Sequence, residues 1–238
     1  MALRRLPAAI HRALHPLVRR LRGHPWAVRA LFGVELPRGL EVAFDTTTLA
    51  LRKPLLRRAR GASSALEIGV GQAALLALFV ARRAGVPVDG VDVSEARVES
   101  SRRTVEANGL PVRVWRSDGF AEVRGRYDLV FSNPPYVPTA AGRALELTRR
   151  ARFDGDQVWD GGPDGTAVLA RILRAAPEHL TPGGTLVVGV QRAYLADARL
   201  DELAEAAGLR VIERYDGLLG ISRVWVLRRV EAPPPEGG

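Results

Sequence analysis

Short apolar runs separated by helix-length segments recur along this chain, and that rhythm confines it to an alternating βα plan built on a mostly parallel sheet. The pattern predicts strands near residues 65–69, 88–92, 111–115, 127–132, 185–190, 209–214 and 222–229, with helices over 73–84, 94–108, 165–177 and 196–207. Ser94 suits a helix N-cap and Asn108-Gly109 a helix stop. Helical stretches over most of 3–32 and about 47–60 precede the first strand, the earlier one divided by Pro7, Pro16 and Pro25. A length of 238 residues, 47% hydrophobic, buries one α/β core plus an appendage. The expected organisation is a basic helical extension over 1–60, the sheet domain over 61–230, and a disordered Pro- and Gly-rich tail over 231–238.

The run Tyr127 to Ser132 ends in Asn133, Pro134, Pro135 and Tyr136, so an amide, a rigid carbonyl and an aromatic face gather where open α/β sheets bind ligands. A planar NH2 group has its nitrogen lone pair delocalised, and a site that makes it attack an electrophile must hold both N–H bonds with acceptors. The Asn133 side-chain oxygen is one acceptor. Pro135 restricts Pro134 to extended backbone and aims its carbonyl as the second. Tyr136 can lie against the planar group. In the plainer reading, a Pro-Pro pair ends a strand and Asn133 is a turn residue.

Upstream, Leu66 to Ile68 read as a buried strand, followed by Gly69, Val70 and Gly71 and an apolar helix. Glycines there bring backbone close to a ligand in front of free helix N–H groups. Asp92 ends the next strand, 23 residues after Gly69, a spacing suited to ribose hydroxyls. These features fit both a dinucleotide site and a methyl-transfer site. Two details separate them: Glu67 would repel a pyrophosphate but suits a cationic amino-acid ligand, and Ser117, Asp118, Gly119 and Phe120 suit an adenine pocket. A dehydrogenase has no use for Asn133 to Tyr136.

With these residues the chain resembles the class I methyltransferases that use S-adenosylmethionine, and among them the group with an NPPY motif. The resemblance implies a Rossmann-like, mostly parallel seven-stranded sheet with an antiparallel C-terminal edge. It also implies that Glu67, Gly69, Gly71, Asp92, Asp118 and Asn133 bind the cofactor, and that Asn133, Pro134, Pro135 and Tyr136 hold the acceptor. The third glycine expected after Gly71 is Ala73 here. The likeness reaches the glutamine N5-methyltransferases of peptide-chain release factors and their short relatives, through Trp159 to Gly165, Leu180 to Gly184 and Asp216 to Arg223, and covers about residues 62–229. NPPY is shared by enzymes acting on protein Gln, adenine N6 and guanine N2. A protein glutamine is therefore the leading acceptor and an RNA or DNA base the alternative. Two departures bear on the choice: Phe44 to Thr48 replaces a Pro-Arg-x-Glu-Thr-like segment, sharing only the position of a Thr, and Val187 to Gln191 lacks an acid near the end of the fifth strand.

Composition narrows the chemistry. Without cysteine there is no disulfide, thiolate ligand or cysteine nucleophile, and His11, His15, His24 and His179 form no metal-ligand spacing, so no metal is expected. Residues 1–60 carry 13 Arg or Lys against 3 acids, while the whole chain has a net charge of +9, so the basic character is N-terminal. His11 to Arg22 has helical periodicity, and such an arm suits RNA, a ribosome or an acidic protein; packing on the domain with solvated Arg residues is the plainer use. The absence of Ser before Ser63 counts against a transit peptide, and the longest apolar run, Ala73 to Ala81, is too short to span a bilayer. A cytoplasmic protein is expected. The segment 137–164, with Arg143, Arg149, Arg150 and Arg152, is long enough to be a wall or lid over the acceptor. An NAD-dependent oxidoreductase and an inactive RNA-binding relative of a methyltransferase remain as other classes.

Overall fold

The computed structural model describes residues 24–42, 44–147 and 155–230. The expected helix over His11 to Arg22, Arg149, Arg150 and Arg152 of the long segment, and the tail from 231 onward lie outside the described residues.

Among the described residues one sheet contains β1 (Ala65–Ile68), β2 (Val88–Asp92), β3 (Val112–Arg116), β4 (Tyr127–Ser132), β5 (Leu180–Gln191), β6 (Leu209–Asp216) and β7 (Ser222–Arg229). Their order is β3-β2-β1-β4-β5-β7-β6. The first five are parallel, and β7 runs antiparallel to both β5 and β6. The expected α/β class and antiparallel edge are thus present. Strand order reverses direction between β1 and β4, which opens a crevice at their carboxyl ends.

The helices are α1 (Pro25–Phe32), α2 (Thr46–Ala59), α3 (Leu75–Ala84), α4 (Glu95–Asn108), α5 (Thr139–Ala144), α6 (Ala167–Ala175) and α7 (Asp197–Ala206). They cover both faces, so the strands bury alternate residues in two separate cores. Leu129, Phe131, Val187, Val224 and Val226 join the core with α1 to α4. Val130, Leu186, Val188, Trp225 and Leu227 join the one with α6 and α7.

Helix α2 belongs to the sheet's packing, with Leu51, Leu55 and Ala59 fully buried and contacts to β5 and β7. Its approach depends on Gly189 of β5, where a Cβ would lie 2.6 Å from Thr47 Cγ2 and 3.2 Å from Leu51 Cγ. Helix α1 docks through Phe32, whose ring meets Phe44 and Phe79 edge-on at 5.0 and 6.1 Å, with the Arg52 guanidinium over Phe32 and Phe79.

Several boundaries differ from the sequence reading, three of them with a plain physical cause. Strand β5 begins at Leu180, not 185, because its register with β4 jumps from Tyr127 opposite Leu180 to Leu129 opposite Thr185, absorbing the Pro182 to Gly184 turn as a bulge. Helix α6 stops at Ala175, and a 3₁₀ turn over Ala176–His179, carrying Pro177, follows. Helix α3 starts at Leu75 because Ala74 takes a left-handed conformation with φ of 46°.

Replacing Gly189 with Val forces α2 away from β5 and is expected to destabilise the fold by about 1–3 kcal/mol. Urea unfolding at neutral pH measures this, and an unchanged midpoint contradicts the close packing assigned to Gly189.

Candidate active site

The carboxyl edge brings the sequence-predicted residues together through the ladder itself. Ile68 of β1 lies opposite Ser132 of β4, and the buried Ser132 hydroxyl donates to the Ile68 carbonyl at 2.7 Å. Gly69 and Asn133 therefore leave neighbouring strands side by side, about 4.8 Å being the usual strand spacing. On the other flank, the Gly69 and Val70 N–H groups donate to Val91 O at 2.8 and 3.0 Å, and Ser117 N–H donates to Asp92 O at 3.0 Å. The glycine turn, Asp92, the Ser117-Asp118 corner and Asn133 thus share one rim.

At Asn133 the two amide protons are taken by Asp45 Oδ1 at 3.2 Å and Thr48 Oγ1 at 3.1 Å. The side-chain oxygen, Asn133 Oδ1, is buried and has no hydrogen-bond partner among the described residues. A buried carbonyl without a donor costs roughly 1–3 kcal/mol, a cost that an incoming N–H would remove. No donor among the described residues reaches the Pro134 carbonyl either. Tyr136 is buried and donates its hydroxyl to Asp45 Oδ2 at 2.7 Å. Burial first, then the Asp45 charge, holds its pKa well above the ordinary phenol value, so it remains a donor. With that proton committed, the Tyr136 hydroxyl accepts from Thr47 Oγ1 at 3.0 Å, and Ser222 Oγ continues the chain to Thr47 at 3.0 Å and Thr46 at 2.9 Å.

The glycine turn has Gly69 and Gly71 at φ of 82° and 66°, and a Cβ at either would point into open space, so conformation and not crowding demands glycine. Asp92 is buried and holds this turn: its Oδ2 accepts from Gly71 N–H at 3.0 Å and its Oδ1 from Ser94 N–H at 3.0 Å, with Arg97 Nη1 at 3.5 Å. Glu67 lies beneath the start of α3, only 3% exposed, and its Oε2 accepts the otherwise orphaned N–H of Ala77 at 2.8 Å. Burial pushes its pKa up to about 8, and the Asp92 charge adds to the rise. Asp118 is more open, its side chain 59% exposed and ion-paired with Arg171 of α6 at 2.7 Å.

The described ends of the segment after the motif pair with each other. Val137 and Trp159 exchange a backbone bond of 2.9 Å, Gly161 N–H returns to Val137 O at 2.9 Å, and Asp160 Oδ1 accepts from Thr139 Oγ1 at 2.7 Å and Gly162 N–H at 2.8 Å. Gly165, at φ of 80°, lies against the Tyr136 carbonyl, which a Cβ would approach to 2.4 Å. Gly142 makes room for the buried Trp159 ring, whose Cζ3 would be 1.9 Å from an added Cβ. The Trp159 to Gly165 stretch therefore packs against the backbone from Tyr136 to Thr139, directly after the Asn133 to Pro135 turn.

Asp45, Thr47, Thr48, Gln191 and Ser222 are site residues that sequence reasoning missed. Asp45 and Thr48 carried one legible signal, an acid three residues before the donor of its cap, and Asp45 Oδ1 does accept from Thr48 N–H at 2.8 Å. Nothing local in the sequence foretells its reach to Asn133, 88 residues away.

The sheet order, with its switch point between β1 and β4 and its antiparallel edge, is that of a Rossmann-like fold shared with solved methyltransferase structures. Residues 41–151 match the family described as Methyltransferase small domain. The chain is similar to the "Ribosomal protein uL3 glutamine methyltransferase" of Bradyrhizobium diazoefficiens, 41% identical over 142 residues covering 58% of this chain and 44% of that protein. It is also similar to the "Release factor glutamine methyltransferase" of Rhodospirillum rubrum, 34% identical over 171 residues covering 71% of this chain and 52% of that one. It spans about half the length of these curated relatives. A methyltransferase crystal structure from Pyrococcus furiosus superposes with a TM-score of 0.62 at 24% identity, covering 90% of this chain and 97% of that one, a likeness of fold. No helix among the described residues is long and apolar enough to cross a membrane.

Because the Glu67 pKa lies above its ordinary value of 4.5, the neutral carboxyl favours the fold: this contribution is fully present below about 4.5 and is lost as pH rises through about 8. Glu67→Gln keeps an acceptor for Ala77 N–H and removes that loss. Its stability relative to the parent protein is expected to rise between about pH 5 and about pH 8.5 by no more than about 1.4 kcal/mol per unit. Denaturant unfolding at the two pH values checks this, and a pH-independent difference contradicts the buried-carboxyl assignment.

Proposed function

We propose that this protein is an S-adenosylmethionine-dependent N-methyltransferase acting on a planar amide nitrogen, with a glutamine side chain of a translation protein as acceptor. The observation that carries the reading is the buried, unpartnered Asn133 Oδ1, set by the β1–β4 ladder beside the glycine turn. The residues present suit the cofactor: Gly69 and Gly71 leave backbone open to a ligand, Asp92 stands at the end of β2 for a ribose, and a cationic amino group would keep Glu67 ionised despite its burial. The bound cofactor supplies a methyl group on a positively charged sulfur. Asp118 would face the adenine side while sharing its charge with Arg171.

This chain's own part is orientation and exclusion of water. Asn133 Oδ1 and the Pro134 carbonyl accept the two N–H bonds of the acceptor amide, which localises the nitrogen lone pair toward the methyl carbon. Tyr136, fixed by its hydroxyl, lies against the planar group. A bound S-adenosylmethionine would give its methyl group to that nitrogen, the sulfur retaining the electron pair of the bond it loses. One N–H proton then leaves to solvent, so no strong general base is required.

The protein glutamine acceptor rests on the similarity to uL3 and release factor glutamine methyltransferases. An acceptor-only cradle also matches an NH2 group better than a hydroxyl, which brings a single proton. Incubation with radiolabelled S-adenosylmethionine and purified release factor, uL3 or total RNA tests it, with label expected on a protein glutamine. Label on RNA alone would overturn the acceptor class.

Asn133→Ala is expected to lower the transfer rate by about 100-fold or more while S-adenosylhomocysteine binding stays within a few-fold. Asp92→Ala is expected to do the reverse and weaken cofactor binding first. Calorimetry together with transfer rates reads both, and equal loss of the two properties in Asn133→Ala contradicts this division of roles.

A further inference from the structure

A strand-end Asn can present either its carbonyl or its NH2 to a site, since the two faces of the amide differ little in shape. Only the carbonyl-outward state holds an acceptor N–H. In this protein the choice is made by a residue from another part of the chain. Asp45 precedes α2, and its carboxylate receives five donors: Thr48 N–H at 2.8 Å, Thr48 Oγ1 at 2.9 Å and Asn133 Nδ2 at 3.2 Å on Oδ1, with Tyr136 hydroxyl at 2.7 Å and Gln191 Nε2 at 3.3 Å on Oδ2. A carboxylate is acceptor-only when ionised. Reversing the Asn133 amide would set its carbonyl against Asp45 Oδ1 and strand its protons, so the carboxylate removes the wrong orientation.

We infer that Asp45 is a positioning residue for the transfer, fixing the Asn133 carbonyl and the Tyr136 ring at once; this rests on the proposed N-methyltransferase reading. Withdrawal of a proton toward the carboxylate also polarises the Asn133 amide and makes Oδ1 a better acceptor as positive charge develops on the substrate nitrogen. The arrangement explains how one acid can serve both ends of the motif. It sits between Asn133 and Tyr136, and the network behind it, Thr47, Ser222 and Thr46, ties α2 to the start of β7. Thr48 takes the second Asn133 proton while giving its own to Asp45, which closes a ring of three side chains with no proton left over.

The test is Asp45→Asn, which retains a good helix N-cap and the side-chain shape but adds donors where Asn133 needs an acceptor. With radiolabelled S-adenosylmethionine and purified release factor or uL3, kcat is expected to fall on the order of 100-fold, with KM for the cofactor and the unfolding midpoint little changed. Because part of the Asp45 effect acts through Asn133 and part through Tyr136, the double variant Asp45→Asn, Asn133→Ala is expected to lose clearly less than the product of the two single losses. A readout independent of turnover is nitrogen-15 NMR of the Asn133 side-chain NH2, assigned by its loss in Asn133→Ala: slow exchange with solvent in the parent protein and fast exchange in Asp45→Asn. Unchanged kcat, multiplicative losses in the double variant, unchanged NH2 exchange, or unfolding of Asp45→Asn would each overturn the positioning role. If the parent protein labels neither acceptor, the acceptor assignment falls, and the NMR comparison still decides whether Asp45 orients Asn133.

Discussion

The lateral pairing of β1 with β4 is the constraint on which the site depends. Parallel strands require crossover connections, and reversal of strand order at this pair leaves their carboxyl ends uncovered by connecting helices. The Ser132–Ile68 bond locks the register where the two functional segments depart, so the glycine turn and the Asn133 amide emerge adjacent. A one-residue slip would turn Asn133 to the other face of the sheet and dissolve the site. Everything placed around that point, from Asp92 on one side to Gln191 on the other, inherits its position from this ladder.

The surroundings of the crevice hold unfavourable features that the rest of the fold offsets. Asn133 Oδ1 is buried without a donor, and Glu67 is buried with its charge disfavoured. Two apolar cores on opposite faces of the sheet stabilise the frame in which these groups are held. Under the proposed function an acceptor N–H and a cationic amino group would meet these two groups, and the cost of holding them is borne by the structure before any ligand arrives. Around them, the glycines at 142, 161, 162 and 165 let the backbone after the motif pack closely behind Tyr136.

Much of the fold was legible because its signals are local. Short apolar runs located each of the seven strands, and Ser94 and Gly109 bounded α4 as their side chain and left-handed conformation require. The Asn133 motif, the glycine turn and Asp92 could be read because strand ends deliver them to one edge. What escaped was non-local or conformational. Asp45 gave only a helix-cap signal, yet its carboxylate spans to Asn133 and Tyr136. The bulge in β5 looked like a turn before the strand because Pro182 to Gly184 has turn composition in either case. The stretch 137–164 read as a long loop because the order of its described ends comes from pairing between Val137 and the Trp159 to Gly161 backbone, which has no periodicity to detect.

In the proposed function Asn133 presents a fixed carbonyl to an acceptor nitrogen beside the glycine turn. A crystal structure with S-adenosylhomocysteine and a glutamine-bearing fragment of the acceptor protein addresses it most directly. The expected result is the glutamine nitrogen donating to Asn133 Oδ1 at about 2.9 Å, with the sulfur on the far side of that nitrogen from Oδ1. A sulfur lying away from Asn133, or an Asn133 amide turned to offer its NH2, would contradict it.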